Sequence, residues 1–277
     1  MTGEPKRPDA RYILGQSAAE TARLMRQAAS RATGTRRFLE DAGISSGMRV
    51  LDVGSGAGDV ALQVAALVGS DGGVVGVDVN PQVLEVVRQR AAEAGLANIS
   101  FIAGHIGDVT LASDFDAVVG RYVLMYLGAP VEAVRALAGR LRPGGIIAFQ
   151  EYDFADPPFA YPPSALYQQL RRWTEAASQR AGIERAMGRN LFRTFRAAGL
   201  PDPQMRMEAG LGGGPDWSGY EAIVAPLRSM LPQIIEYEIA TAAAVDIETF
   251  AARLREETVS QQGLLAGALT FSAWSRT

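Results

Sequence analysis

The chain has 277 residues, 48% of them hydrophobic, enough for one large buried core. A net charge of −3 supplies no basic footprint for nucleic acid, and the lack of cysteine excludes disulfides, thiolate metal ligands and cysteine nucleophiles. No apolar run reaches membrane-spanning length, and the polar, proline-containing first ten residues do not read as a signal peptide, so a cytoplasmic setting without membrane contact is expected.

In chain order, residues 1–10 are expected to be disordered. Ser17–Arg31 reads as a helix, with Ser17 capping it and Glu20 three residues later, as in a capping box. A second helix over Thr35–Ala42 ends at Gly43. Arg49–Val53 is a strand, Gly58–Val68 a helix, Val74–Asp78 a strand, and Pro81–Ala94 a helix with proline in its first turn. Strands follow at Ile99–Ala103 and Ala117–Gly120, then a helix over Val131–Leu141 closed by Pro143-Gly144-Gly145, then a strand at Ile146–Gln150. Strands alternating with helices of this length imply right-handed crossovers and a parallel sheet.

After Glu151 the rhythm breaks. Asp156–Pro163 is a proline-dense connection that cannot be helical. Helices are expected over Ser164–Ala181 and Asn190–Ala198, a strand at Gln204–Glu208 and a flexible, hinge-like loop at Gly210–Gly214. Helical stretches at Trp217–Met230 and Ile247–Gln261 precede a strand-like segment, Ala268–Ser275. The chain thus divides into a tail and cap helix (1–33), an α/β core (34–155) and a C-terminal part (156–277) that completes the sheet with helical lid insertions. An apolar surface on those helices would serve equally as a lid face or as the face of a homodimer.

The motif with the most chemical content is Val50–Asp59, an apolar run that stops at Gly54, Gly56 and Gly58. It reads as a buried strand, a tight turn and a helix, the nucleotide-binding corner of a doubly wound sheet. The dinucleotide fingerprint needs a third glycine where this chain has Asp59, and Asp52 adds a second acid before the turn. Two carboxylates would repel a pyrophosphate but welcome a cationic, phosphate-free ligand. Val74–Asp78 ends in an acid suited to two ribose hydroxyls.

Together with Phe101–His105, Phe115–Val119 and Leu141–Gly145, these segments make the chain resemble the class I S-adenosylmethionine-dependent methyltransferases. The likeness is close over Gly34–Glu151 and looser beyond, and is greatest to the branch of ubiquinone/menaquinone C-methyltransferases and natural-product O-methyltransferases. The resemblance implies a Rossmann-like, seven-stranded, mostly parallel α/β sheet with helices on both faces and a last, antiparallel strand. It implies S-adenosylmethionine as cofactor, with Gly54, Ser55 and Gly56 meeting its methionine part, Asp52 behind the turn, Asp78 on the ribose and Val79 on adenine. In the family a Gly-Asp pair after the third strand accepts a hydrogen bond from the adenine amino group. Here Gly104-His105 takes that place with Ile106 beside it; a neutral imidazole could accept the bond or stack, or Asp108 could replace the acid.

Arg121 is expected to pair with the methionine carboxylate or with Asp52 or Asp59, and Tyr12 and Gln27 to fold over the cofactor. The acceptor would be a small, largely apolar organic molecule, methylated on oxygen, carbon or nitrogen. Tyr126, Glu151, Tyr152 and Asp153 are the candidate bases near the strand ends, although methyl transfer relies mainly on positioning. The rival readings are an NAD-dependent dehydrogenase, a non-catalytic cofactor-binding scaffold, and an enzyme using the sulfonium for another reaction.

Overall fold

The apolar runs form the middle of a sheet in the computed structural model, which describes residues 9–10, 32–155 and 159–277. The expected helix Ser17–Arg31, with Tyr12 and Gln27, lies outside the described residues. Helix α1 (32–42) leads into strand β1 (Arg49–Val53), then α2 (Asp59–Val68), β2 (Gly73–Asp78), α3 (Pro81–Glu93) and β3 (Ile99–Ala103). Next come β4 (Phe115–Arg121), a 3-10 turn (Leu124–Tyr126), α4 (Pro130–Ala138) and β5 (Leu141–Asp153). The C-terminal part adds β6 (Ala160–Tyr161), α5 (Ala165–Arg180), α6 (Met187–Ala197), β7 (Gln204–Glu208), β8 (Leu211–Gly212), α7 (Gly219–Glu236), α8 (Ala242–Val245), α9 (Ile247–Ser260), β9 (Leu264–Ala266) and β10 (Leu269–Arg276).

The main sheet has seven strands in the order β3-β2-β1-β4-β5-β10-β7. β1 to β5 run parallel, and β10 is antiparallel, as the resemblance implies; it lies between β5 and β7. The chain winds outward from β1 to β3, then returns to place β4 on the other side of β1. That reversal opens a crevice at the carboxyl ends of β1 and β4, the usual ligand position in open α/β sheets.

Strand alternation divides the core in two. Val50, Ala117, Ile146 and Ala148 pack with Phe38 and Leu39 of α1 and with Val60 and Val64 of α2. Leu51, Val118, Ile147 and Phe149 face the other way, into a cluster that runs on through Leu191 and Phe195 of α6 to Leu170, Leu227, Phe250 and Leu254. The C-terminal helices therefore share one continuous core with the sheet.

Several expected boundaries move, always because a long-range pairing overrides a local signal. β5 reaches Asp153 because β10 pairs with it from Ile146 to Asp153. α4 stops at Ala138 because Leu141 is drawn beside Phe115, next to a register shift. α7 continues past Met230 to Glu236 with Pro226 and Pro232 inside it, since Tyr220, Ile223, Leu227 and Ile234 keep its apolar face buried. Gly210–Gly214 is not a free hinge: Leu211 and Gly212 pair with β9 in a small sheet (β6-β9-β8), and the Trp217 indole packs against Gly212.

Phe38, only 1% exposed, ties α1 to the sheet and meets Trp274 edge-on at 6.3 Å. Phe38→Ala should lower the unfolding free energy by about 3–5 kcal/mol in urea titrations. A loss below about 1 kcal/mol would show that α1 is not anchored there.

Candidate active site

The turn after β1 is built from backbone conformations that only glycine adopts freely. Gly54, Gly56 and Gly58 have φ of 68°, 50° and 83°. A Cβ on Gly54 would sit 2.8 Å from Val123 Cγ2, and one on Gly58 would collide with Val87, so the turn must also be bare to pack. Its amides are tied to β2: Gly54 N and Ser55 N donate to Val77 O (2.8 and 3.0 Å), and Gly56 N donates to Asp78 Oδ2 (2.8 Å). Asp78 Oδ1 accepts from Asn80 N (2.9 Å), while Asn80 itself caps α3 by accepting from Gln82 N. Burial pushes the Asp78 carboxyl up, against the pull of these backbone N–H groups. Val79, directly after it, is 60% exposed.

Asp52 sits behind the turn, 1% exposed, and its Oδ2 has no hydrogen-bond partner among the described residues. Burial raises its pKa to about 7; the nearby Arg121 guanidinium opposes that rise and Asp78 adds to it. Asp59 makes a 2.8 Å ion pair with Arg90, so the expected alternative of an Arg121–Asp59 pair is not formed. Arg121 instead donates to Thr35 Oγ1 of α1 (2.8 Å), and its guanidinium lies 5.5 Å from the Tyr122 ring centroid.

His105 lies beside this cleft, but both of its ring nitrogens are engaged. Nδ1 accepts from Gly107 N (3.2 Å), which leaves Nε2 to donate to Asp9 Oδ2 (2.9 Å). In this arrangement both ring nitrogens of His105 have partners within the chain. Asp108 is exposed and donates its N–H to His105 O (2.9 Å), and Ile106 is half-buried against the core. Asp9 was not singled out in the sequence, where residues 1–10 read as disordered. Its Oδ1 accepts from Gly128 N (2.7 Å), and Ala10 N donates to Tyr126 O (2.7 Å). Residues 9 and 10 thus bridge the loops that follow β3 and β4.

The β4 loop is held by Glu151, whose side chain is fully buried. Glu151 Oε1 accepts from Val123 N (2.9 Å) and Leu124 N (2.8 Å), and Oε2 accepts from Met125 N (3.4 Å). Burial raises its pKa to about 7 despite those three donors. Glu151 is therefore a loop anchor. Asp153 is likewise occupied: its buried carboxylate takes a two-pronged ion pair from Arg189 (Nε 2.8 Å, Nη2 2.7 Å) and also the Arg189 backbone N–H (2.9 Å). This removes Asp153 from the groups free to take a proton. Tyr152 stacks on Tyr122 with ring centroids 3.8 Å apart, and Tyr126 is half-buried against the core.

The site can be tested against the cofactor that the fold implies. An unpartnered buried carboxylate oxygen, a second carboxylate at the end of β2 and a glycine turn open at Gly56 suit a cationic nucleoside without phosphate. The comparisons with known proteins agree. Residues 44–199 match the model of a methyltransferase domain family. Aklanonic acid methyltransferase from Streptomyces sp. is 34% identical over 59% of this chain and 80% of its own length. A ubiquinone/menaquinone biosynthesis C-methyltransferase from Pseudomonas putida is 36% identical over 42% of this chain, and the match spans 47% of that relative. Among solved structures, a Haemonchus contortus phosphoethanolamine N-methyltransferase in complex with S-adenosylhomocysteine shares the fold (TM-score 0.56, 16% identity, 88% of this chain and 52% of that one). The chain belongs to this methyltransferase domain family, and its cofactor is S-adenosylmethionine.

The raised carboxyl of Asp52 gives a stability test. Asp52 holds its proton in the fold between its unfolded value of 3.8 and about 7, where the unfolded chain has released it. Folded protein then binds more protons than unfolded, so this group's contribution to stability falls as pH rises through that window. Denaturant titrations should show wild type losing stability relative to Asp52→Asn between about pH 4 and pH 7, and no further change above. A difference that stays constant across the window would contradict the buried, uncompensated state of Asp52.

Proposed function

We propose that the chain transfers the methyl group of S-adenosylmethionine to a small, largely apolar organic acceptor, in the cytoplasm. The observation that carries this reading is the glycine turn stitched to Asp78, with the unpartnered Asp52 behind it. The Asp78 carboxylate would accept from ribose hydroxyls, and Val79, which is exposed, would lie against adenine. The open backbone at Gly54–Gly56 would meet the methionine part, and Asp52 and Asp78 would offset its positive charge. Bound there, S-adenosylmethionine supplies a methyl group already activated by its sulfonium. What remains for the protein is to orient the acceptor and to exclude water, which accounts for much of the rate of such reactions.

The rest of the reading follows from the surroundings of the cleft. The C-terminal helices share one apolar core with the sheet. The names of the relatives speak of aklanonic acid and of ubiquinone/menaquinone biosynthesis, in keeping with a small acceptor. Among the described residues no helix is long and apolar enough to cross a membrane. The acidic balance of the chain argues against a nucleic-acid acceptor.

Calorimetric titration with S-adenosylhomocysteine tests the reading. Wild type should bind, and Asp78→Ala should bind at least about tenfold more weakly, a change of about 1.4 kcal/mol. Equal affinity in the two proteins, with both folded by circular dichroism, would sink the assignment of Asp78 and the cofactor geometry with it.

A further inference from the structure

On the face of the sheet covered by α1, the side chains change character towards the carboxyl ends of the strands. The row Val50, Ala117, Ile146 is apolar. Two steps on, strand pairing aligns Arg121, Gln150, Ser272 and Arg206, and beyond them Tyr152, Thr270 and Glu208. A cavity of about 210 Å³ opens there, lined by Gly34, Thr35, Tyr122, Gln150, Glu208 and Thr270 among others. Its lining residue Tyr122 is followed in the chain by Val123, on which Gly54 of the glycine turn rests.

Most polar groups around this cavity pair off; Arg206 Nη1, which is buried, and the Glu208 carboxylate do not. Gln150 Nε2 donates to Ser272 Oγ (2.9 Å), Arg121 is bonded to Thr35, Arg206 is paired with Asp41, and the Tyr122 hydroxyl is 3.4 Å from Thr270 Oγ1. The carboxylate of Glu208, half-buried at the end of β7, has no hydrogen bond or ion pair with any described residue. A carboxylate facing a small cavity is suited to hold a protic group and to repel another carboxylate.

We propose that this cavity seats the reacting ring of the acceptor, and that Glu208 accepts a hydrogen bond from the ring hydroxyl that becomes methylated. The proposal rests on the methyltransferase reading above and narrows its acceptor to a hydroxylated ring. The volume is below the roughly 300–1,000 Å³ of pockets that enclose drug-sized ligands, and so admits one ring with the remainder of the molecule outside. In the transfer, the hydroxyl oxygen gains the methyl carbon and the carbon–sulfur electron pair stays on sulfur. The hydroxyl proton passes to Glu208, which returns it to solvent. An acid acceptor, as named for the Streptomyces relative, would meet like charge here.

The test is calorimetry on the S-adenosylhomocysteine-loaded protein with phenol, catechol, resorcinol and benzoate as probes. At least one phenol should bind in the millimolar range or better, and benzoate more weakly. Glu208→Gln should weaken the phenol at least fivefold and improve benzoate. Gly34→Ala, whose new methyl would lie 2.8 Å from Glu208 Oε1, should weaken the phenol while leaving S-adenosylhomocysteine binding unchanged. Benzoate binding better than the phenols, unchanged phenol binding in Glu208→Gln, or no phenol binding by a protein that holds S-adenosylhomocysteine would overturn this assignment alone. Failure of wild type to bind S-adenosylhomocysteine would overturn the methyltransferase reading and this one together.

Discussion

The cleft depends on one buried carboxylate. Glu151 leaves the end of β5 and gathers three successive backbone N–H groups of the turn after β4. Those amides belong to the first turn of a short 3-10 segment and would otherwise be left unsatisfied in the core. Hydrogen bonds to an ionised acceptor are strong, and removing the acceptor would strand all three donors. The anchor also sets where the preceding residues go. Tyr122 is held at φ 58°, a conformation costly for a side-chain-bearing residue, and Val123 is pressed onto Gly54 of the cofactor turn. The position of the glycine turn and that of the β4 loop are thus one constraint.

Strand alternation at the end of β5 sends its polar side chains to two faces of the sheet. Glu151 and Asp153 point to one face, where each is consumed by structure: the first by the β4 loop, the second by Arg189 of α6. The close seat of α6 is possible because Gly188 lies against Phe271 and Asp153, where a Cβ would come within 2.7 Å of the Phe271 ring. Gln150 and Tyr152 point to the opposite face, towards the cavity under α1. Four consecutive polar or aromatic residues are thus divided between two faces. A carboxylate that is paired and buried has little freedom to act as a base, whereas one left unpaired beside a cavity keeps it.

How much of this was legible in the sequence depended on the range of the interaction. The β1 strand, the glycine turn and the acid at Asp78 are local patterns, and each falls where expected. That the last sheet strand is antiparallel followed from the family resemblance, not from periodicity, and its place between β5 and β7 was not legible at all. The roles of Glu151 and Asp153 could not be told apart in the string Glu-Tyr-Asp, because their partners lie 26–28 and 36 residues away. His105 looked like a substitute adenine ligand because its partner Asp9 sits 96 residues upstream in a segment with no structural signal. Glu208 was visible only as the end of a strand; register alone brings it beside Thr270 and Tyr152. The glycine-rich stretch at Gly210–Gly214 read as a hinge because strand pairing and the cover of Trp217 are tertiary facts.

The measurement that reaches the centre of this account is made on Glu151→Ala. Amide hydrogen exchange at Val123, Leu124 and Met125 should accelerate while the sheet amides stay protected, and S-adenosylhomocysteine affinity should fall at least about tenfold. Unchanged exchange in that turn together with unchanged affinity would mean that the loop and the cofactor cleft stand without the buried carboxylate, and the account would be wrong at its root.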